Sequence, residues 1–388
     1  MQHVFIVGSK GIPGAYGGFE TFVDKLTEYH QNHPHIRYHV ACKDTENKEK
    51  TYHNARCFHI KVPNIGSAQA IWYDVAALRR CVKYIKANQI EKPIVYILAC
   101  RIGPFMGHFV RQIHKLGGVC YVNPDGHEWL RSKWPAPVRK YWRISEKLTV
   151  KRADMLVCDS KNIEKYIQQS YVRYRPKTTY IAYGAETGDS VLADDDKKLR
   201  SWYAQNGLMP GDYYLVVGRF VPENNYETML REFMKSKTRK HFAIITDVSD
   251  GFLEELKQKT GFHTDPRIKF VGVVYDQQLL KKIRQNAWGY LHGHEVGGTN
   301  PSLLEALGST KVNLLLDVGF NREVAEDTAL YWTKEEGSLA RLIGHADALS
   351  AEAVEALGRQ AKNRIATAYS WQFISGEYEK LFLGTERN

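Results

Sequence analysis

The chain opens 3-HVFIVGSKGIPGAYGGFETFVDKL-26, and this stretch decides how the rest is read. Val4 to Val7 form an unbroken apolar run that stops at Gly8. A short continuous run of this kind fits a strand buried on both faces. Gly8, Gly11, Gly14, Gly17 and Gly18 follow within eleven residues. Phe19, Phe22, Val23 and Leu26 then recur with helical spacing. Strand, glycine-rich loop and helix is the first step of a doubly wound α/β sheet. Glycine in the loop permits positive φ and close backbone approach to a ligand. Gly17 and Gly18, at the start of the helix, would offer free N–H groups to a phosphate or sugar oxygen. The loop is not a dinucleotide fingerprint, which needs an acidic residue about 20 positions on. Asp44 lies farther away, and the loop is too long.

Outward from this stretch the pattern repeats. Strand candidates are 37-RYHVAC-42, 57-CFHIKV-62, 93-PIVYILA-99, 118-GVCYVN-123, 154-DMLVCDS-160 and 178-TTYIAYG-184, with amphipathic helical stretches between them, as at 70–89 and 105–117. The segment 185-AETGDSVLADDDKK-198 is polar, acidic and aperiodic, and reads as a linker. The alternation then restarts at 213-YYLVVG-218, 241-HFAIITD-247, 267-RIKFVGVV-274, 287-AWGYLHG-293 and 311-KVNLLLD-317. The fold class is therefore α/β, with two Rossmann-like doubly wound domains facing across a cleft, over residues 1–187 and 188–369. An amphipathic helix over 370–388 is expected to pack back on the first. In such sheets ligands bind beyond the carboxyl ends of the strands.

Composition narrows the class. The 388 residues are 43% hydrophobic and 25% charged, which fits a globular chain rather than a disordered one. No run approaches the ~18 apolar residues of a membrane span, and the strand-length opening run makes a secretory signal unexpected. The six cysteines form no CxxC pair and read as buried free thiols. The net charge of +11 is uneven: residues 1–190 carry 29 Lys+Arg against 16 Asp+Glu, and the remainder 25 against 27. The two halves thus face different partners.

Two motifs of the second half suit a diphosphate and a ribose. In 216-VVGRFVPENNYET-228, Arg219 leaves a buried strand end, where a guanidinium suits a diphosphate; pairing with Glu223 is the alternative. In 292-HGHEVGGTNPSLLEALG-308, Gly297 and Gly298 allow a turn, Asn300 is a good N-cap and Pro301 takes the first helical position. N–H groups around Thr299–Leu303 would then face the ligand. One turn on, Glu305 could accept bonds from ribose hydroxyls. Glu223, Asn224, Glu295 and Val273, the last in the strand candidate 267–274, complete the set of candidate residues.

In the first half, 123-NPDGHEW-129 follows a strand. Asp125, with His127 and Glu128, would stand at a strand end, where a carboxylate could bind or deprotonate a hydroxyl; an Asp-Gly turn is the plainer reading. Asp159 is either a second cleft-side carboxylate or the cap of the helix from 161. The segment 131–152 carries eight Lys/Arg, including Arg131, Lys133, Arg139, Lys140, Arg143 and Lys147, against one acid, Glu146. Trp134 and Trp142 interleave with them. Basic residues beside aromatics suit an anionic bilayer; nucleic acid and a solvated helix are the alternatives.

The glycine loop after the first strand, the GR strand end and GGTNPSLLEA together resemble the family 4 glycosyltransferases of the GT-B fold. More narrowly, 17-GGFETFV-23, 121-YVNPDGHEWLRSKW-134, 218-GRFVPENNYET-228 and 292-HGHEVGGTNPSLLEAL-307 are similar to bacterial rhamnosyltransferases of streptococcal capsule and rhamnose-polysaccharide synthesis. The resemblance implies transfer of L-rhamnose from dTDP-β-L-rhamnose to a GlcNAc or glucose on an undecaprenyl-diphosphate type lipid, with a β-1,4 linkage and retention. It implies an enzyme that is cytoplasmic and peripheral on the inner face of the plasma membrane, with no nucleic-acid partner. Two positions depart from the wider family: Gly297 stands where it has the first of two glutamates, so Glu295 or a backbone N–H would take over that contact, and Asn224 replaces a phosphate-binding Lys. The only acidic run, 194-DDD-196, lies in the linker, so no metal or other cofactor is expected. A GT-B transferase using UDP-glucose or UDP-GlcNAc, and a silent nucleotide-sugar- or glycan-binding protein, are the alternatives.

Overall fold

The computed structural model describes residues 1–14, 18–131 and 134–384, so Gly17 and Lys133 lie outside the described residues. The chain divides into two compact units, one of residues 1–184 with the stretch from Trp371, the other of residues 185–370. The expected boundaries were 187/188 and 369/370.

The first unit is built on β1 (Gln2–Val7), β2 (Ile36–Asp44), β3 (Glu49–Tyr52), β4 (Ala55–Lys61), β5 (Ile94–Leu98), β6 (Val119–Asn123), β7 (Met155–Cys158) and β8 (Thr178–Tyr180). The strand order is β3-β4-β2-β1-β5-β6-β7-β8, and only β3–β4 is antiparallel. Five helices alternate with the strands: α1 (Gly18–Tyr29), α2 (Gln69–Ala87), α3 (Gly103–Lys115), α4 (Ala136–Val150) and α5 (Lys161–Ser170).

Side chains alternate across a strand, and both faces of this sheet are covered. Phe5, Val7, Val95 and Ile97 join Leu78 and Cys81 of α2 and Met106 and Phe109 of α3 in one cluster. Tyr96 belongs to the opposite face, where its hydroxyl lies 3.0 Å from that of Tyr378 on the C-terminal helix Trp371–Leu383. That helix belongs to this unit. Fully buried Phe22 of α1 packs there against Tyr183 at 5.5 Å and Tyr378 at 5.1 Å. Gly184 is required at this contact, because a Cβ would stand 2.5 Å from the Trp371 ring.

The second unit repeats the scheme with β9 (Tyr213–Val217), β10 (His241–Ile245), β11 (Ile268–Phe270), β12 (Gly289–His292), β13 (Val312–Leu316) and β14 (Leu330–Trp332), ordered β11-β10-β9-β12-β13-β14 and all parallel. Its helices are α6 (Lys197–Asn206), α7 (Tyr226–Lys235), α8 (Asp250–Thr260), α9 (Gln277–Gln285), α10 (Pro301–Leu307), α11 (Gly319–Ala325), α12 (Ser338–Asp347) and α13 (Ala351–Ala368). Tyr214 and Val216 feed one apolar cluster and Tyr213 and Leu215 another, so this sheet too is buried on both faces.

Several expectations shift. The pair β3 and β14 went unread, the strand at 178–184 ends at Tyr180, and the one at 267–274 ends at Phe270, leaving Val273 in a loop. All six cysteines are buried and free. Among the described residues no helix is long and apolar enough to cross a membrane. In each sheet the strand order reverses beside the first strand, between β1 and β5 and between β9 and β12, which is where doubly wound sheets place ligands.

Phe22→Ala empties a buried site beside the rings of Tyr96, Tyr183, Trp371 and Tyr378. Denaturant unfolding should show the first unit destabilised by about 3–5 kcal/mol.

Candidate functional site

In the second unit, the loops after β9 and β12 are joined by one side-chain and one main-chain hydrogen bond. Asn225 Nδ2 donates to Gly293 O at 2.8 Å, and Glu295 N donates to Glu223 O at 3.2 Å. Gly293 must be glycine, since a Cβ there would meet Asn224 O at 2.4 Å. Below this seam, the hydroxyls of Tyr290 and Ser302 both donate to Val217 O, at 3.1 and 2.9 Å. His292 and His294 stack at 4.3 Å, and burial, then the neighbouring imidazole, holds His292 neutral, well below its usual range.

Arg219 stands at the end of β9 with its side chain exposed, and among the described residues it makes no ion pair. The alternative pairing with Glu223, which is buried, is not formed. Asn224, where a lysine was absent, is buried, and its Nδ2 donates to Arg219 O at 2.7 Å. It therefore fixes the backbone that carries the guanidinium. Gly297 has φ of +131° and a Cβ there would meet nothing within 4 Å, so its glycine is set by conformation, not crowding. Gly298 beside it is half-buried and Thr299 buried. Glu295 is paired with Lys334, which follows β14. Val273 is exposed.

The helix start corrects one expectation. Asn300 caps α10, accepting from Ser302 N at 2.9 Å and Leu303 N at 3.3 Å. Two of the N–H groups read as facing a ligand are thus used by the cap itself, and α10 has only seven residues. Glu305 is bonded to buried Arg284 at 2.6 Å.

In the first unit, Arg101 organises the strand ends. Its Nη1 and Nη2 both donate to Gly8 O at 2.9 Å, and Nη1 also reaches Asp74 Oδ2 at 2.9 Å. Asp74 is fully buried. Gly8 has φ of +107° and a Cβ there would stand 2.3 Å from Leu98 O. Glu20 accepts from Lys10 N at 2.7 Å and Asp24 from Gly14 N at 2.9 Å, so α1 holds the loop from its other end. Gly18 opens α1, and a Cβ there would meet nothing within 4 Å.

Asp125 follows β6 in the left-handed region, φ +58°, and His127 is left-handed too, φ +44°. Non-glycine residues held there store backbone strain, which collects at functional sites. Asn123 Oδ1 accepts from Asp125 N at 2.8 Å, and Asp125 Oδ1 accepts from Gly126 N at 2.9 Å. Burial pushes the Asp125 carboxyl above the ordinary range against the pull of Arg131, and Glu128 adds to the rise. Tyr183 is raised by burial and then by both Asp159 and Asp125, which places the two carboxylates around one phenol. Asp159 is buried and does not cap the next helix; Ser160 does, accepting from Asn162 N at 3.1 Å.

Glu128 and Arg131 correct two further assignments. They pair with each other, and Trp134 Nε1 donates to Glu128 at 2.8 Å. Arg131 is buried and cannot face a bilayer. Trp134 and Trp142 are half-buried, 6.4 Å apart. The solvent face of α4 keeps Arg139, Lys140, Arg143 and Lys147, with Lys151 and Arg152 after it; all six are exposed and none is ion-paired among the described residues. Glu146, the one acid of the segment, is buried and accepts from Tyr166 and Tyr171 at 2.6 and 2.5 Å.

Sequence reading missed Arg101, Asp74, Arg284 and Lys334. For Arg101 a signal existed: it follows an apolar strand run as directly as Arg219 does.

Two doubly wound units with ligand loops at their switch points define the GT-B class of fold. Solved structures agree. Sucrose-phosphate synthase from Thermosynechococcus elongatus superposes with a TM-score of 0.75 at 18% identity, over 99% of each chain. HepE from Anabaena, solved with UDP, gives 0.71 at 13% identity over 100% of each chain. An α,α-trehalose-phosphate synthase (UDP-forming) from Burkholderia vietnamiensis gives 0.73 at 11% identity, over 99% of this chain and 100% of that one. Residues 1–186 match a family model described as a domain of unknown function, DUF1972. No curated protein sequence matches the chain.

Arg101→Met would leave Asp74 buried without its cation. Calorimetry at neutral pH should show a loss of about 3–5 kcal/mol. A carboxyl raised by burial costs stability above its pKa, so the loss should shrink as pH falls and Asp74 takes up a proton.

Proposed function

We propose that this protein is a glycosyltransferase that takes a nucleotide-diphosphate sugar on its second unit and a sugar hydroxyl acceptor on its first. The observation that carries the reading is Arg219: an exposed guanidinium without an ion pair among the described residues, at the switch point of a doubly wound sheet, on backbone fixed by a buried Asn. Negative charge develops on the diphosphate as the C1–O bond of the donor breaks. A cation already in place stabilises it without reorganisation. The acceptor oxygen bonds to C1 on the face the phosphate leaves, and its proton passes to the departing phosphate oxygen. No covalent enzyme intermediate and no metal enter this scheme. Asp125, with its raised carboxyl, binds and orients the acceptor hydroxyl.

The finer reading follows the resemblance of the four sequence segments. The donor is dTDP-β-L-rhamnose, the acceptor GlcNAc or glucose on an undecaprenyl-diphosphate type lipid, the linkage β-1,4 with retention, and the product a precursor of a capsule or cell-wall polysaccharide. A second donor class has its own support, because the structural neighbours include HepE bound to UDP and glucose. Purified protein given dTDP-rhamnose or UDP-sugars with lipid-diphosphate-linked GlcNAc or glucose separates the two. Rhamnosyl transfer is the expected result; transfer from UDP-sugars alone would replace the donor assignment. Arg219→Ala should lower turnover about 100-fold or more with the fold intact. Activity near the wild-type level would remove Arg219 from the phosphate site.

A lipid-linked acceptor calls for a membrane surface, and α4 supports one. Four exposed cations line its solvent side and two follow it, none ion-paired among the described residues, Ile144 on the same helix is exposed, and the single acid is buried against two tyrosines. Each basic residue near an anionic surface contributes roughly 1 kcal/mol. On this reading the protein works at the inner face of the plasma membrane. It should sediment with vesicles rich in phosphatidylglycerol, and charge reversal at Arg139, Lys140, Arg143 and Lys147 should abolish that binding. Equal binding to neutral vesicles in high salt would contradict it.

A further inference from the structure

The glycine loop of the first unit also walls a cavity of about 210 Å³, separate from the turn that carries Asp125. Lys10 and Gly11 form one side, Glu20 of α1 another, and Cys42, Lys43 and Asp44 at the end of β2 a third. Main chain fixes these walls. Lys43 N donates to Lys10 O at 2.8 Å. Gly11 has φ of +108°, and a Cβ there would stand 2.5 Å from Cys42 Sγ.

The acids of the cavity are engaged within the protein. Glu20 Oε1 accepts from Lys10 N at 2.7 Å, and Asp44 Oδ2 lies 2.8 Å from His59 Nδ1 and 2.9 Å from Lys48 Nζ. The ammonium groups of the cavity are not held in this way. Lys10 and Lys43 are exposed, and neither forms an ion pair among the described residues. Lys43 Nζ donates to the neutral amide of Gln69 at 3.0 Å. Lys61, opposite Asp44 on β4, adds a further exposed cation beside them. Two available ammonium groups on one cavity, carried by fixed backbone, suit a phosphate ester, since each brings a full charge and three donors.

We propose that Lys10 and Lys43 bind the acceptor's phosphate, the diphosphate that joins its sugar to the lipid. This rests on the glycosyltransferase reading with the acceptor on the first unit. Strand spacing supports the assignment. Asp125 follows β6, Lys10 follows β1 and Lys43 lies at the end of β2. With neighbouring strands about 4.8 Å apart, the two lysines stand roughly 10 and 14 Å along the sheet edge from Asp125. A hexose whose 4-hydroxyl meets Asp125 carries its C1 diphosphate away from that hydroxyl, toward the cavity. The lysine side chains reach back over the rest of the span. This phosphate is remote from the bond that forms, so its contacts add binding and leave the chemical step alone.

The test compares initial rates of the full-length protein on three acceptors bearing GlcNAc or glucose. They are the undecaprenyl diphosphate in vesicles, a short water-soluble alkyl diphosphate, and the alkyl glycoside without phosphate. The donor is dTDP-rhamnose or UDP-glucose, whichever turns over. Wild type should show a KM for the glycoside about tenfold or more above that for the soluble diphosphate. Lys10→Gln combined with Lys43→Gln should raise KM about tenfold or more for both diphosphate acceptors, and leave kcat, donor KM and the glycoside rate within about threefold. Lys10→Arg with Lys43→Arg should keep most of the affinity. A loss confined to the vesicle-borne acceptor would assign the lysines to bilayer headgroups, and an equal loss on the glycoside would assign them to the sugar or the loop; either overturns the proposal. So does a wild type indifferent to the phosphate. A wild type that transfers to none of the three overturns the glycosyltransferase reading and this inference with it, whereas normal transfer that ignores both lysines overturns this inference alone.

Discussion

A backbone contact without room for a side chain organises the second unit. Gly293 stands so close to the carbonyl of Asn224 that a Cβ would be 2.4 Å from the oxygen. That approach draws the loop after β12 onto the loop after β9, and the other bonds of the seam follow from it. Asn225 reaches Gly293 O, and Glu295 N reaches Glu223 O. With Glu223, Asn224 and Asn225 all buried in the seam, Arg219 is the charged side chain of its loop left facing solvent. A larger residue at 293 would part the loops and dissolve the geometry that makes Arg219 useful.

Charge is used in two ways in this protein. Some pairs are internal struts. Arg101 with Asp74 clamps the glycine loop, Glu128 with Arg131 closes the turn after Asp125, and Arg284 holds Glu305. Asp74, Arg131 and Arg284 are buried in these pairs and need their partners. Other cations have none among the described residues, Arg219 and the six on and after α4 being the clearest. A guanidinium left in water at a strand end costs nothing to hold and is available to an anion. The division separates groups that hold the loops in place from groups left in solvent.

Much of the fold was legible because a strand covered on both faces has to be continuously apolar. β1, β5, β9 and β13 announced themselves in this way. β3 did not, because 49-EKTY-52 is a charged edge strand with little to bury, and charge on an edge guards against unwanted pairing. β14 is three residues long, too short for any periodicity. In the site, Arg219 was visible as a cation directly after an apolar run, and Asn300 as an N-cap before Pro301. The consequence of that cap was not drawn: an Asn side chain that satisfies Ser302 N and Leu303 N withholds them from a ligand. The mutual pairing of Glu128 and Arg131 was readable from their three-residue spacing, yet both were assigned outward roles.

The sequence by itself determined two doubly wound units, their strand-end loops and the cations those loops carry. These are local properties, set by apolar runs, glycines and caps within a few residues of one another. Only the tertiary structure decided which polar groups were already spoken for. Arg284 reads as a solvated helix residue until α9 packs, where it is buried with Glu305, 21 positions away, as its partner. Lys334 meets Glu295, and Glu146 turns from the basic face of α4 to Tyr166 and Tyr171. Burial and pairing depend on what folds over a residue from distant parts of the chain, and no local pattern encodes that.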